Sequence, residues 1–122
     1  MPRPTEIKLH QKSRVLELKF DDDFSCHLTC EYLRVMSPSA EVQGHGPGQE
    51  VLQVGKEEVG ITEITPAGNY AIKIHFDDGH NTGLYTWNYL HELGKRYDEH
   101  WQAYLAKLKD AGVERQGDSH RD

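Results

Sequence analysis

Alternating apolar and polar residues dominate the first part of the chain. Ile7 and Leu9 alternate with charged neighbours, and after a polar HQKS turn the segment 15–20 (VLELKF) alternates again. Two such stretches joined by a short polar turn predict an antiparallel β-hairpin. A third strand is predicted after the acidic DDD turn, alternating over residues 24–28 and running on into Leu33.

The clearest strand pattern spans residues 70–77 (YAIKIHFD), where apolar and polar residues alternate throughout. The Asp78-Gly79 dipeptide that follows predicts a type I′ hairpin turn, in which both residues take positive φ. That turn sets Asp77 opposite His80. It also puts the apolar Leu84 on the polar face, so an irregularity is predicted just before this residue.

The C-terminal third of the chain changes to a helical period. Thr86 is a candidate N-cap for a first helix, which is predicted to stop at Gly94 because glycine often follows a helix end. A second helix is predicted within residues 95–112, with an apolar stripe at intervals of three and four residues. The members of that stripe are Tyr97, Trp101, Tyr104, Leu105 and Leu108.

These patterns predict an α+β fold. A small, mainly antiparallel β-sheet domain is expected over residues 1–94, with an amphipathic C-terminal helix over residues 95–112 packed on it and a mobile polar tail over residues 113–122. A length of 122 residues suits one domain with a single core.

Composition narrows the function classes. The formal net charge of −6, with no run of Lys or Arg, argues against nucleic-acid binding, because phosphate contacts are made largely by cations. No apolar run of membrane-spanning length occurs. The N-terminus lacks the apolar segment of a signal peptide, so a cytoplasmic location is expected.

Residues 36–55 break the regular pattern. Ser37 is a candidate N-cap and Pro38 a first helical residue, which predicts a single helical turn through Glu41. Glycines at positions 44, 46 and 48 then predict an irregular loop. This loop lacks the Lys-Ser/Thr ending of a phosphate-binding loop.

Two groups of residues are candidates for chemistry. His75, Asp77 and His80 are brought together by the predicted hairpin, and two imidazoles with one carboxylate form the ligand set of many non-haem iron sites. The alternative is that Asp77 and His80 form a cross-strand pair that only stabilises the sheet. Cys26 and Cys30 lie about 13 Å apart on a regular strand, too far for a disulfide, and are expected to be buried thiols.

No nucleophile with a base partner is evident from the sequence, so an enzyme is the less favoured class. The apolar stripe of the last helix contains Trp101 and Tyr104, types that are frequent at binding hot spots. This stripe is expected either to pack on the domain's own sheet or to face a partner.

Two segments carry a resemblance to a known family. The stretch EYLRVMSPSAEVQGHGPGQ and the block FDDGHNTGLYTWNYL together resemble the gamma-butyrobetaine hydroxylase-like N-terminal domain over about residues 5–94. In the hydroxylases this domain carries a structural zinc held by three cysteines and a histidine. The resemblance puts the cysteine positions on Ser37, Ser39 and Val42, and the histidine position on His80.

The resemblance implies a scaffold without its zinc, since hydroxyls are poor zinc ligands and valine is none. The oxygenase domain of the hydroxylases has no counterpart in these residues, so the resemblance implies no catalysis. No cofactor is expected, with iron as the alternative.

Similar domains also occur fused to P-loop iron–sulfur cluster carriers. This association suggests an accessory, protein-binding role in iron–sulfur or iron handling, with such a carrier as a candidate partner. The expected binding surface comprises the residue 34–48 loop and the neighbouring hairpin. Arg34 and His45 are its expected polar contacts, and Tyr85 and Trp87 are its anchors or core residues.

Overall fold

The computed structural model describes residues 2–44, 46 and 48–115. It contains two three-stranded antiparallel sheets, with strand orders β1-β2-β3 and β4-β5-β6. The strands are β1 (Pro4–His10), β2 (Val15–Phe20), β3 (Ser25–Thr29), β4 (Ile61–Ala67), β5 (Ala71–Phe76) and β6 (Leu84–Thr86). Four helices are present in the described part: α1 (Cys30–Val35), α2 (Ala40–Gln43), α3 (Trp87–Lys95) and α4 (Tyr97–Asp110). The predicted α+β class is confirmed.

The first sheet buries one face, as the alternation predicts. On β2, Leu16, Leu18 and Phe20 are almost fully buried, whereas Glu17 and Lys19 point to the other face. These apolar residues form one cluster with the inward residues of β5 and with α1 and α3. The core therefore lies between the two sheets and the helices that cover them.

The predicted extension of the third strand to Leu33 is wrong. The strand ends at Thr29, whose side-chain oxygen accepts a hydrogen bond from the backbone N–H of Tyr32 (3.1 Å) and caps α1. All six residues of α1 are buried, the charged Glu31 and Arg34 included, so the apolar residues of this segment belong to a buried helix rather than to a strand. The alternating pattern that ends at Thr29 suggested a longer strand, so the sequence did not reveal that Thr29 caps a helix.

The hairpin after β5 differs from the predicted type I′ turn. Gly79 N–H donates to the Phe76 carbonyl (3.1 Å), Phe76 N–H donates to the His80 carbonyl (3.0 Å), and Gly79 has φ of 89° whereas Asp78 stays at negative φ. This is a three-residue turn closed by a glycine bulge. Phe76 rather than Asp77 therefore faces His80, whereas Lys73 still faces Leu84, so one extra residue lies between these two pairings. Leu84 stays on the exposed face of the sheet, because this extra residue only offsets the longer turn.

The helix ends depart from prediction in two places. Ser39, not Ser37, caps α2 through a hydrogen bond from Glu41 N–H (3.1 Å). Thr86 caps α3 as predicted, but Gly94 lies inside this helix. An added Cβ at Gly94 would stand 2.7 Å from Cys26 Sγ, so this glycine serves close packing rather than helix termination.

Helix α4 packs on its own domain. Tyr104 and Leu108 are buried with Val35 of α1, and the Tyr97 ring meets the Tyr32 ring edge-on at 4.7 Å. The stripe therefore follows the first of its two predicted alternatives. None of the helices in the described residues is long and apolar enough to cross a bilayer.

The beginning of the predicted mobile tail is held in place. Arg115 forms a two-pronged ion pair with the nearly buried carboxylate of Glu31, with Nε 2.9 Å from Oε2, and its guanidinium lies over the Trp101 ring. Within the predicted tail, Arg115 thus has fixed partners on α1 and α4, while the mobility of the tail stays a prediction. Residues 116–122 lie outside the described residues.

Candidate functional site

A buried polar cluster joins the segment after α1 to the β5–β6 hairpin. The Ser37 Oγ atom lies 2.8 Å from His80 Nε2, and both residues are nearly inaccessible to solvent. Their loops meet because Ser37 follows the end of α1 at Val35, while the Gly79 bulge turns His80 inward. Two of the four positions that the resemblance assigns to zinc ligands are therefore in contact.

The protonation of His80 follows from its partners. Its Nδ1 lies 2.9 Å from Glu41 Oε1, and an ionised carboxylate can only accept, so Nδ1 carries the proton. The neutral ring then accepts at Nε2 from the Ser37 hydroxyl. Burial lowers the pKa of His80 and the charge of Arg34 lowers it further, while Glu41 opposes this shift.

Ser37, His80 and Glu41 thus have the bonding order of a serine-hydrolase triad, although the sequence indicated no nucleophile. Ser37 is 0% exposed, and its Oγ also accepts from Ser39 N–H at 3.2 Å. An added Cβ at Gly83 would stand 2.5 Å from that oxygen, so the hairpin backbone covers it. A hydroxyl sealed in this way has no room for a substrate, and the cluster is structural.

Further hydrogen bonds complete the connection. Ser39 Oγ lies 2.6 Å from Thr82 Oγ1, and Gln43 Nε2 donates to the Ser37 carbonyl at 2.9 Å. Val42 is 4% exposed and packs as an apolar residue. The positions that the resemblance assigns to thiolates thus carry hydroxyl and aliphatic side chains, and an amide side chain lies beside them.

Arg34 belongs to the interior rather than to an exposed recognition surface. Its Nε donates to Asp78 Oδ2 (2.9 Å) and its Nη1 to Gln53 Oε1 (3.0 Å), with 9% of the side chain exposed. Lys56 Nζ also donates to Asp78 Oδ2. Burial alone would raise the pKa of Asp78, but hydrogen bonds from Lys56, the His80 N–H and Arg34 together lower it to about 2.

The other candidate residues of the binding surface differ in how far they are buried. Tyr85 is fully buried and donates its hydroxyl to the Leu33 carbonyl at 2.6 Å, so it is a core residue and not an anchor. Trp87 is half-buried, and its Nε1 donates to the Asn69 carbonyl at 2.9 Å. His45 lies outside the described residues.

The predicted iron ligands are not assembled. His75 Nε2 contacts Thr65 Oγ1 at 3.2 Å on the outer face of the sheet, whereas both ring nitrogens of His80 are engaged in the buried cluster. Asp77 is exposed and lies beside Gly60. Among residues 2–44, 46 and 48–115, no three His, Cys, Asp or Glu side chains form a ready metal centre.

An apolar groove opens beside the buried cluster, between α4 and the irregular segment 50–53. Its volume is about 290 Å³. The apolar lining includes Val35, Met36, Val42, Leu52, Ala103 and Tyr104. On its rim, Val51 is 53% exposed although it is aliphatic.

Sequence reasoning missed Glu41 as the partner of His80, and it missed the groove. Residues 50–53 carry no period that marks them as a wall, because their position depends on tertiary hydrogen bonds. Tyr104 Oη donates to the Gln53 carbonyl (2.7 Å), and Val51 N–H donates to the Val42 carbonyl (2.8 Å). The apolar run around Val51 beside a glycine-rich loop was the available signal.

Comparisons with known proteins show the family of the chain and several solved structures that are similar to it. A family model described as "Gamma-butyrobetaine hydroxylase-like, N-terminal" matches residues 7–91. A protein solved by NMR in solution is 53% identical, with a TM-score of 0.81, and the match covers 94% of this chain and 90% of that one. A second NMR structure is 50% identical, with a TM-score of 0.80, and the match covers 94% of this chain and 86% of that one.

A crystal structure from Acidithiobacillus ferrooxidans is also similar. It is described as a protein of unknown function in the DUF971 family, with 42% identity and a TM-score of 0.63, and the match covers 75% of this chain and 91% of that one. No curated protein matches the chain.

Proposed function

Since the chain belongs to the gamma-butyrobetaine hydroxylase-like N-terminal family, and a similar solved protein is described as one of unknown function, we propose that it is a non-catalytic protein-binding domain. Its binding surface is the groove between α4 and residues 50–53. The observation that carries this proposal is an exposed aliphatic side chain, Val51, on the rim of an apolar groove with fixed walls.

The walls of the groove are held before any partner arrives. The hydrogen bonds from Tyr104 Oη and Val51 N–H attach the irregular segment to α4 and to the end of α2. Arg34 holds the side chain of Gln53 from below. A surface that is already ordered loses less conformational entropy on binding than a mobile loop does.

The size of the groove suits one or two aliphatic side chains of a partner. Its volume is at the lower end of the range for small-molecule pockets. Polar side chains share its lining with the apolar ones, namely Gln43, Glu50, Gln53, His100 and Lys107. Ala103 and Val42 leave room between the walls, while His100 and Lys107 supply a polar rim. An apolar centre with a polar rim is the usual arrangement of a protein interface.

The partner to test first is a P-loop iron–sulfur cluster carrier, because similar domains occur fused to such proteins. Under this proposal the domain is an accessory that holds the carrier through the groove and does no chemistry itself. The sealed hydroxyl of Ser37 is consistent with a role that needs no nucleophile.

The experiment is a titration of isotopically labelled protein with the purified carrier from the same organism, followed by NMR. We expect shift changes at residues 50–53 and along α4. Val51→Asp should weaken binding at least tenfold, because a carboxylate would have to be desolvated in the groove. Leu84→Asp is the matched control, since Leu84 is a comparably exposed aliphatic residue (44%) on β6.

Equal loss in both variants, or shift changes confined to β6, would contradict the groove as the binding surface. If the carrier does not bind at all, the link to iron–sulfur handling is wrong.

A further inference from the structure

Two histidines and a glutamate converge on the outer face of the first sheet, far in sequence from the groove residues. Glu17 lies on the central strand β2, and the register sets it directly opposite His27 of β3 and Lys8 of β1. His10 follows Lys8 by two residues and so lies on the same face. Each of the three adjacent strands thus contributes one metal-ligating side chain.

The donor atoms are already close. His10 Nε2 is 2.9 Å and His27 Nε2 is 3.8 Å from the same oxygen, Glu17 Oε1. Two donors that bind one tetrahedral ion at about 2.1 Å lie about 3.4 Å apart. The two observed distances lie on either side of this value, so small side-chain movements would satisfy both.

The side-chain movement that metal binding still requires would be made mainly by His27, the most exposed of the three residues. The imidazole rings are stacked with centroids 6.4 Å apart, and they must approach before both nitrogens can bind one ion. For this reason the three groups are no ready-made centre. His27 is 63% exposed and can turn toward His10 without disturbing the core, while Glu17, 17% exposed, remains the fixed point.

We propose that His10, Glu17 and His27 form an inducible surface site for a divalent first-row transition ion such as Zn²⁺. Two imidazoles and a carboxylate suit ions of this class and leave a position for water or for a group from another molecule. The site is independent of the proposed binding groove.

The neighbouring ammonium and thiol groups affect how tightly the proposed site would bind a metal ion. The ammonium groups of Lys8 and Lys19 are paired with Glu6, at 2.9 and 3.6 Å, rather than occupying the Glu17 oxygens. Their positive charges still weaken the attraction for a cation. Burial raises the pKa of the Cys26 and Cys30 thiols to about 11, so these sulfurs are protonated and poor competitors for the ion.

The test is calorimetric titration of untagged protein with Zn²⁺ at neutral pH, together with NMR of the histidine rings. We expect one ion per chain, and shifts of the His10 and His27 ring signals. Glu17→Gln and His27→Gln should each weaken binding at least tenfold. His91→Gln is the matched control, because His91 also pairs with a carboxylate, Asp22, at 2.8 Å but has no second imidazole beside it among the residues that the structure describes.

His27→Gln alters an exposed side chain, so its circular dichroism and unfolding midpoint should match the wild type. Absence of stoichiometric binding to the wild type would overturn the proposal. Undiminished binding by Glu17→Gln and His27→Gln, or equal loss in His91→Gln, would also overturn it.

Discussion

Ser37 Oγ donates a hydrogen bond to His80 Nε2 across 2.8 Å, and this bond connects the end of α1 to the β5–β6 hairpin. Both groups are buried, so neither can exchange its partner for water. The resemblance assigns zinc ligands to these two positions. In this chain a neutral hydrogen-bonded pair holds the same two loops together.

Ser37→Ala should lower the free energy of unfolding by about 1–3 kcal/mol, because it leaves the buried Nε2 of His80 without a donor. Urea denaturation would measure the change. Ser25→Ala, at an exposed position of β3, is the control and should change the stability by less than about 0.5 kcal/mol. Equal effects of the two substitutions would contradict a special role for the buried pair.

Acidification should weaken the fold through His80. Its pKa is lowered in the folded state, so the unfolded chain binds the proton more tightly. The stability that this residue contributes is therefore complete above the unfolded pKa, near 6.5, and is lost as the pH falls through the folded value.

Unfolding free energies measured between pH 8 and pH 5 would test this expectation. His80→Asn should flatten the profile in that window, whereas His75→Asn, at a partly exposed site on the sheet, should leave its shape unchanged. The aspartates and glutamates with lowered pKa values act at lower pH. An unaltered slope in His80→Asn would refute the assignment.

Asp78→Asn should be more damaging than its partial exposure suggests. Asp78 is the acceptor for both Arg34 and Lys56, and the nearly buried guanidinium would lose its counter-charge. We expect a loss of about 1–3 kcal/mol, below the value for a fully buried pair because a quarter of the Asp78 side chain is exposed. The control is Asp77→Asn at the neighbouring exposed position, and thermal unfolding would compare them.

The stability of a Gly94→Ala variant would show whether helix propensity or close packing matters more at this position. Propensity alone predicts a gain of about 1 kcal/mol, since Gly94 lies inside α3. The added Cβ would stand 2.7 Å from Cys26 Sγ and 2.9 Å from the Phe24 ring, so we expect a net loss of about 1–3 kcal/mol. A stabilised variant, measured by urea denaturation, would show that the core relaxes around the methyl group.

Local patterns predicted the strands well where one face is buried and the other exposed. The run from Ala71 to Phe76 and the cap at Thr86 were readable because their signals are local. Helix α1 was not, since all of its residues are buried, and its charged residues Glu31 and Arg34 find partly buried partners on distant parts of the chain instead of marking an exposed face. Gly94 was misjudged because its role depends on Phe24 and Cys26, about seventy residues earlier in the chain.

The candidate site was less predictable than the fold. Arg34 was predicted to be a surface contact, and Tyr85 either an anchor or a core residue, yet each finds a buried partner on a distant element. Only the family resemblance indicated that Ser37 and His80 lie close together. Glu41 and the groove wall at residues 50–53 depend on how loops meet, which no local period encodes.

The ion pair between Glu31 and Arg115 joins residues 84 positions apart. During synthesis, the first sheet and α1 leave the ribosome long before this arginine does. Until then the Glu31 carboxylate stays hydrated, at a surface that α4 later covers. The ion pair can form only after α4 has been synthesised, because Arg115 follows the last residue of that helix. Nascent chains that stall before α4 should therefore expose the Tyr32 face of α1 and be prone to self-association.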